Sequence, residues 1–372
     1  MRRDRNHPCV LLWSVGNEIP EMRNQPGAEP GGLWTKRLAD AVRALDPTRP
    51  VTAGCNAPLV SATNGVFDAL DVVGFNYGKD AYRELRAKWK TVASETAATH
   101  SLRGVYNFSP DEKDPSVLKI EPFVGKLADA RGGCCFWGDP SEKALQIQGQ
   151  NGWCAGEFVW SGFDYLGEGN LPETPELDYW PSRSAYWGLF DRAGLPKDVA
   201  WLYRSQWTTN ATVHLATDWT FPQAVGKKLP VWCYSNAKET ELFLNGRSLG
   251  KGRRKDLHFE WLVAYEPGVL EVKATFKEGT VGTDRRETAG PFARLRVTKL
   301  FEKDGVRLIR VDAVDAKGNL ILACEDEIEI PLDGGTLLGS DNGNPLDHTP
   351  FLSPRRKLFR GSLGAVIKQS RR

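Results

Sequence analysis

The amino-acid sequence lacks the features that define several large classes of protein. No apolar run approaches the roughly 18 residues that a membrane-spanning helix needs. A formal net charge of +2 gives no electrostatic reason to bind nucleic acid or an anionic membrane. The histidines show neither HxH nor HExxH spacing, no GxSxG motif is present, and no Gly-rich phosphate-binding turn follows the first apolar stretch. We therefore predict no metal, no cofactor, no nucleic-acid partner and no membrane segment.

The cysteines are scattered and show no spacing typical of metal binding. Cys134 and Cys135 are adjacent, so they cannot readily pair with each other. Cys9, Cys154 and Cys233 lie in apolar, strand-like runs. We interpret these three as buried free thiols rather than as members of disulfides.

Up to about residue 207 the hydrophobic pattern alternates between strand and helix periods, which indicates an α/β architecture. An apolar run opens this region and predicts a fully buried strand of the kind found in parallel sheets. The predicted strands cover residues 10–19, 51–54, 71–77, 91–95 and 155–160, and the predicted helices cover residues 33–45, 81–89 and 197–207. Five such strands fit either an open doubly wound sheet or the second part of an eight-stranded barrel.

From about residue 208 the period changes to 2, which is typical of antiparallel sheets. Asn245-Gly246 is a strong two-residue hairpin signal. The pattern predicts a β-sandwich of immunoglobulin-like size, a boundary near residues 288–291, and a second all-β unit with strands at residues 308–314, 320–330 and 361–368. The predicted domains are therefore residues 1–207, 208–290 and 291–372.

Two carboxyl groups, those of Glu18 and Glu95, end predicted buried strands. Because the C-terminal ends of parallel strands meet at one edge, we expect both at the same end of the sheet. Two carboxyls so placed could perform glycoside hydrolysis, one as acid and one as nucleophile. The alternative for Glu18 is that Asn17-Glu18 caps the following helix.

Other acids and aromatic residues compete for roles in such a site. Glu157 lies inside a predicted strand and is expected to face the helical layer or a partner charge, whereas Asp164 and Glu168 could line the pocket. Tyr77 could hydrogen-bond Glu95. Trp160 could stack on a pyranose ring, although simple packing explains either aromatic residue equally well.

Several segments together resemble glycoside hydrolase family 2. Residues 5–18, RNHPCVLLWSVGNE, are similar to the acid/base signature at the end of barrel strand four, and residues 93–97, ASETA, to the strand that carries the nucleophile. Residues 71–77, DVVGFNY, resemble strand six, and residues 156–164, GEFVWSGFD, resemble strand eight. Similarity continues through residues 184–197, 241–250 and 341–343.

This resemblance implies a multidomain chain: a partial (β/α)8 TIM barrel with strands four to eight, then two all-β immunoglobulin-like sandwich domains. It implies a retaining glycosidase that cleaves terminal β-glycosidic bonds, most often of β-galactosides, with β-glucuronides and β-mannosides as alternatives. Glu18 would be the general acid/base and Glu95 the nucleophile, while Asn17 would contact the sugar 2-hydroxyl. The substrate-binding residues would further include Asn76, Tyr77 and Trp160.

The resemblance also leaves a rival interpretation. Family members begin with a jelly roll, an immunoglobulin-like domain and barrel strands one to three, which have no counterpart here. The chain is therefore expected to be a C-terminal portion, and as given it could be a catalytically inactive fragment whose β domains bind carbohydrate or act as spacers. A carbohydrate is the expected partner, and homo-oligomerisation and the compartment (periplasmic, extracellular or cytoplasmic) stay open.

Overall fold

The computed structural model describes residues 1–19, 22, 24, 26–86, 88–120, 133–134, 137–167, 183–277 and 279–369. No helix among them is long and apolar enough to cross a bilayer. The helices are α1 Gly31–Leu45, α2 Pro58–Ser61, α3 Lys79–Glu84, α4 Ser141–Gln150 and α5 Asp198–Trp207. The strands are β1 Trp13–Asn17, β2 Val51–Cys55, β3 Val73–Asn76, β4 Thr91–Ala97, β5 Thr99–His100, β6 Phe108–Pro110, β7 Leu118–Ile120, β8 Gly133–Cys134, β9 Cys154–Trp160, β10 Val213–Leu215, β11 Lys228–Ser235, β12 Glu239–Leu244, β13 Arg247–Lys251, β14 Arg253–Lys255, β15 His258–Ala264, β16 Val269–Thr275, β17 Val281–Glu287, β18 Arg294–Lys303, β19 Val306–Val314, β20 Glu327–Glu329, β21 Thr336–Asp341, β22 Arg355–Lys357 and β23 Ser362–Lys368.

The first of two compact units comprises Met1–Thr99 and Cys134–Trp160. Its centre is a five-stranded parallel sheet in the order β1-β2-β3-β4-β9. Strands β2 and β3 are buried along their whole length, as expected for central strands of a parallel sheet. A core of aromatic and aliphatic side chains packs against the sheet, and its rings meet mostly edge to face.

The predicted positions of the parallel strands are confirmed, but the predicted burial of the first strand is wrong. Strand β1 starts at Trp13, and its residues are half-buried or exposed. Leu11, just before it, is 74% exposed, and Cys9 is exposed as well. The physical reason is that β1 lies at the edge of the described sheet, where one side of the strand has no hydrogen-bonded neighbour. Cys154 and Cys233 are buried free thiols, as predicted.

The helix predicted over residues 81–89 is shorter than its hydrophobic period suggests. It runs over Lys79–Glu84, and the chain then leaves the helix before Trp89. The indole of Trp89 packs edge to face on Phe67 in the core, with ring centroids 5.2 Å apart. The apolar period therefore reflects a half-buried tryptophan that packs on the core rather than another helical turn.

The second compact unit comprises His100–Gly133 and Ser161–Arg372. Two four-stranded antiparallel sheets, β10-β11-β15-β14 and β13-β12-β16-β17, share one hydrophobic core and so form a sandwich. The hairpin predicted at Asn245-Gly246 is confirmed, because both residues have positive φ and Leu244 pairs with Arg247. The predicted immunoglobulin-like topology and the domain boundaries stay predictions.

A further sheet, β18-β19-β23-β21, follows in the same unit and covers its own core. The strands predicted near residues 308–314 and 361–368 are confirmed as β19 and β23. The prediction of a strand over residues 320–330 is wrong for most of its length, since only Glu327–Glu329 forms a strand, paired with β22, and Leu320 makes a single bridge to Val314. The turn after β19 leads instead into an irregular segment, in which the N–H of Asn319 donates to Asp315 Oδ1.

A buried ion pair holds several loops of the second unit together. The Nζ of Lys197 donates to Asp164 Oδ1 at 2.7 Å and to the carbonyl oxygens of Ser101 at 2.8 Å and Tyr186 at 3.2 Å. The two charged side chains are 0% and 2% exposed. Burial raises the pKa of Asp164 to about 6, so desolvation outweighs the attraction of the lysine. Asp164 therefore has a structural role in this ion pair, and its predicted place in the substrate pocket stays a prediction.

Replacing Lys197 with Met should destabilise the protein strongly. The substitution leaves the Asp164 carboxyl buried without its counter-ion, a change that costs about 3–5 kcal/mol in comparable cases. Lys251→Met serves as the control, because the Lys251–Glu239 pair is 68% and 45% exposed and should contribute less than about 1 kcal/mol. Denaturant unfolding of both variants measures the difference, and equal midpoints would contradict it.

Candidate functional site

The C-terminal ends of β1 and β3 carry two strained residues. Glu18 has φ 52° and Tyr77 has φ 60°, a left-handed conformation that is uncommon outside glycine. The N–H of Glu18 donates to the carbonyl of Gly54 at 2.9 Å, and the N–H of Tyr77 donates to the carbonyl of Glu95 at 2.8 Å. Each strained residue is thus fixed to the neighbouring strand, which is how backbone strain persists at functional sites. Glu18 does not cap helix α1, whose N-cap is Pro30.

Irregular pairing accompanies these strand ends. Phe75 pairs with Ala93 and Asn76 with Glu95, so Ser94 is an extra residue in β4 at that point. The pairing of β1 with β2 is likewise shifted between Ser14 and Asn17. Bulges of this kind re-aim side chains beside active sites.

Side-chain amides surround the carboxyl group of Glu18. Asn56 Nδ2 donates to Oε2 at 2.6 Å, and Asn76 Nδ2 donates to Oε1 at 2.8 Å. The same Asn76 nitrogen lies 3.0 Å from the Oδ1 of Asn17. Asn76 is fully buried, and the hydroxyl of Ser94 donates to its Oδ1 at 2.6 Å. A connected polar network therefore joins the ends of β1, β2, β3 and β4.

Glu95 belongs to this network as well. Burial raises the pKa of Glu95, and the nearby charge of Glu18 raises it further. Hydrogen bonds from the Tyr77 hydroxyl and from the amides of Asn17 and Asn76 lower the pKa without cancelling the rise. Asn17 and Asn76 thus act on Glu95, and Asn76 also binds Glu18, so the structure brings the two predicted carboxyls together.

Two glycines leave room for the network. A Cβ on Gly54 would lie 2.2 Å from Asn17 Oδ1, and a Cβ on Gly74 would lie 2.5 Å from Ser94 Oγ. Both distances are well inside van der Waals contact. These strand positions consequently accept only glycine as long as the amides and the hydroxyl stay in place.

The remaining predicted residues have other positions. Trp160 ends β9, with its backbone opposite Ala97 at the end of β4. Glu157 accepts a hydrogen bond from the Thr96 hydroxyl at 2.7 Å, and its predicted orientation toward the helical layer or a partner charge stays a prediction. Glu168 lies outside the described residues. In the part of the chain that the structure describes, no group of three or more His, Cys, Asp or Glu residues could hold a metal ion.

Sequence reasoning missed two members of the network, Asn56 and Ser94. Asn56 follows a predicted strand in the same way as Glu18 does, so its position at a strand end was a usable signal. Ser94 gave none, because only the bulge in β4 turns its hydroxyl toward Asn76. The assembled site can donate a proton, accept a proton and form a bond to an electrophilic carbon.

Three protein-family models match the chain. Residues 1–98 match the model described as glycosyl hydrolases family 2, TIM barrel domain, and residues 298–372 match glycoside hydrolase family 2 C-terminal domain 5. Between them, residues 226–282 match a domain of unknown function, DUF4982.

Named relatives and solved structures agree with these models. The beta-galactosidase BoGH2A of Bacteroides ovatus is 35% identical over 98% of this chain and 47% of its own length. A putative beta-glucuronidase of Formosa agariphila is 28% identical over 98% of this chain and 37% of its own length. The crystal structure of a beta-glycosidase from Bacteroides vulgatus is 30% identical, with a TM-score of 0.80 over 100% of this chain and 49% of that one. The chain thus spans about half the length, or less, of the relatives it matches.

Substituting Gly54 with Ala should destabilise the protein and displace the amide of Asn17. The added Cβ cannot fit 2.2 Å from Asn17 Oδ1, and overpacking of this kind costs about 1–3 kcal/mol. Gly149→Ala is the control, since Gly149 lies in helix α4 with open space around it, and alanine there should stabilise by about 0.5–1 kcal/mol. Thermal unfolding tests both changes, and a Gly54 variant as stable as the parent would contradict the geometry.

Proposed function

Because the chain carries two domains of glycoside hydrolase family 2 and belongs to that family, we propose that it is a retaining β-glycosidase of the β-galactosidase type. Glu18 is the general acid/base and Glu95 the nucleophile. The observation that carries the proposal is the contact of Asn76 with both carboxyl groups. A shared amide supports the short separation of a retaining enzyme, about 5–5.5 Å, over the 6.5–9.5 Å of an inverting one.

The proposed reaction proceeds in two displacements. Glu95 attacks the anomeric carbon while Glu18 protonates the departing glycosidic oxygen, which gives a covalent glycosyl–enzyme. Glu18 then removes a proton from water, and the hydroxide released at that moment displaces Glu95. Asn17, which is exposed, binds the sugar 2-hydroxyl, and Asn76 supports both acids. Trp160 offers its ring to the apolar face of the sugar.

The charges of the two acids support this chemistry. One carboxylate close to another disfavours the second ionisation, so the pair retains one proton over a range of pH. That singly protonated pair is the form needed, with one acid and one nucleophile. The Tyr77 hydroxyl favours the charge on Glu95, which nucleophilic attack requires, and so offsets part of the rise in its pKa.

An exchange of the two roles is the alternative mechanism. Burial and the nearby charge of Glu18 raise the pKa of Glu95, which favours the protonated form that an acid needs, and two amide donors, Asn56 and Asn76, bind the carboxyl of Glu18. The resemblance of Asn17-Glu18 to the family's acid/base signature favours our assignment. The β-galactoside preference rests on the similarity to BoGH2A, and β-glucuronides are the second substrate class because other relatives carry that name.

Glu95→Gln and Glu18→Gln should have different kinetic effects. Loss of the nucleophile should lower kcat/KM by at least about 10³-fold on every β-galactoside. Loss of the acid should cost about 10²–10⁴-fold on an alkyl galactoside. For a 2,4-dinitrophenyl galactoside, whose leaving group needs no proton, Glu18→Gln should slow the first step far less.

Glu84→Gln is the matched control, because Glu84 is half exposed at the end of helix α3 and pairs only loosely with Arg83. Its rates should equal those of the parent. Aryl β-glucuronides assayed alongside decide the substrate class. Unchanged turnover in Glu95→Gln would refute the proposal.

The pH dependence should respond to Tyr77→Phe. The Tyr77 hydroxyl lowers the pKa of Glu95, so its removal raises that pKa, and less of the nucleophile is ionised at a given acid pH. The acidic limb of kcat/KM should therefore move to higher pH while the alkaline limb stays in place. A pH profile of the parent and the variant measures this, and a shift to lower pH would contradict the proposed contact.

A further inference from the structure

We propose that Ser94 is a positioning residue that fixes the orientation of the Asn76 amide and, through it, the arrangement of both carboxyl groups. This inference rests on the proposed function and extends it to a residue that does not touch the sugar in that mechanism. The observation that carries it is the 2.6 Å hydrogen bond from the Ser94 hydroxyl to Asn76 Oδ1.

The hydrogen-bond count of Asn76 shows why the serine matters. The amide nitrogen has two hydrogens, and it faces only acceptors: Glu18 Oε1 at 2.8 Å, Asn17 Oδ1 at 3.0 Å and the carboxyl of Glu95. The amide oxygen is then left to accept, and Ser94 supplies the donor. If the amide turned over, its oxygen would face those acceptors, which is repulsive.

The fold is built to hold this contact. Ser94 is the extra residue of the bulge between Ala93 and Glu95, and Gly74 opposite leaves the space that the hydroxyl occupies. Asn76 is fully buried. A buried amide without a donor for its oxygen is costly, so the position of the serine has a direct energetic consequence for Asn76.

The effect reaches Glu95 through neighbouring groups. Asn17 receives a hydrogen bond from Asn76, and both amides favour the charge on Glu95. Among the described residues, the titratable groups that act on this carboxyl are Glu18, which follows β1, and Tyr77, which follows β3. The next hydroxyl along β4, that of Thr96, donates to the carboxyl of Glu157 in β9. Removing the Ser94 hydroxyl should therefore change the titration of Glu95 without altering any charge.

A titration that does not depend on turnover tests this inference. Carbon-13 NMR of the glutamate side-chain carboxyls, with the Glu95 signal assigned through Glu95→Gln, gives its pKa in the parent and in Ser94→Ala. The pKa should rise in Ser94→Ala, because the Asn76 amide is free to turn away from the carboxyls. In an Asn76→Ala background, the Ser94 substitution should leave the pKa unchanged.

Kinetics supply the second readout. Ser94→Ala should lower kcat about tenfold, the effect of one lost hydrogen bond, with little change in KM. The loss should shrink below about twofold in the Asn76→Ala background, because the serine acts only through that amide. Thr35→Val is the control: Thr35 is buried in helix α1, where its hydroxyl binds the Gly31 carbonyl at 2.8 Å, and neither the pKa nor kcat should move.

The two proposals fail in different ways. An unchanged Glu95 titration in Ser94→Ala, or an equal effect with and without Asn76, would overturn the positioning role and leave the glycosidase proposal intact. A parent protein without turnover on any β-glycoside would overturn the proposed function. The NMR titration would still decide whether Ser94 controls Glu95.

Discussion

The described site depends on the cost of keeping two carboxyl groups close together at the end of a parallel sheet. Glu18 and Glu95 repel each other when both are ionised, and Glu95 is partly removed from water, so burial and repulsion both raise its pKa. Hydrogen bonds from Tyr77, Asn17 and Asn76 offset part of that cost, and Asn76 also contacts Glu18. The arrangement stabilises the form of the pair that carries a single proton, and acid catalysis combined with nucleophilic attack needs that form.

The backbone around the two carboxyl groups is irregular. The residues that end β1 and β3 adopt left-handed conformations, and β4 contains one extra residue where the acids converge. Glycine stands at the two strand positions where any side chain would strike the network. Backbone strain, irregular pairing and missing side chains are each unfavourable for a sheet. Their coincidence at one set of strand ends shows that the sheet is shaped around its polar groups.

Much of the fold could be predicted from hydrophobic periods, because burial on a sheet imposes them directly. The parallel strands and the Asn245-Gly246 hairpin followed from local pattern and turn chemistry. The exposure of β1 could not be predicted, because it depends on which strands lie beside it. The end of helix α3 could not be predicted, because the apolar period continues to Trp89, which packs on the core outside the helix.

The residues of the candidate site were likewise only partly predictable from the sequence. Glu18 and Glu95 could be found because strand ends in a parallel sheet converge on one edge. The ion pair of Asp164 was missed, since its partner Lys197 is distant in sequence and nothing local marks the buried pair. Ser94 was missed because a bulge, which leaves no trace in the hydrophobic pattern, decides where its hydroxyl points.

Mass spectrometry of the protein after reaction with 2,4-dinitrophenyl 2-deoxy-2-fluoro-β-galactoside identifies the nucleophile. The fluorine slows both displacements and the activated leaving group keeps the first one observable, so a covalent intermediate accumulates on the nucleophile. The account predicts one fluorosugar per chain, on the peptide that contains Glu95. A label on Glu18 would show that the two acids exchange roles, and a label on a residue outside this network would contradict the account.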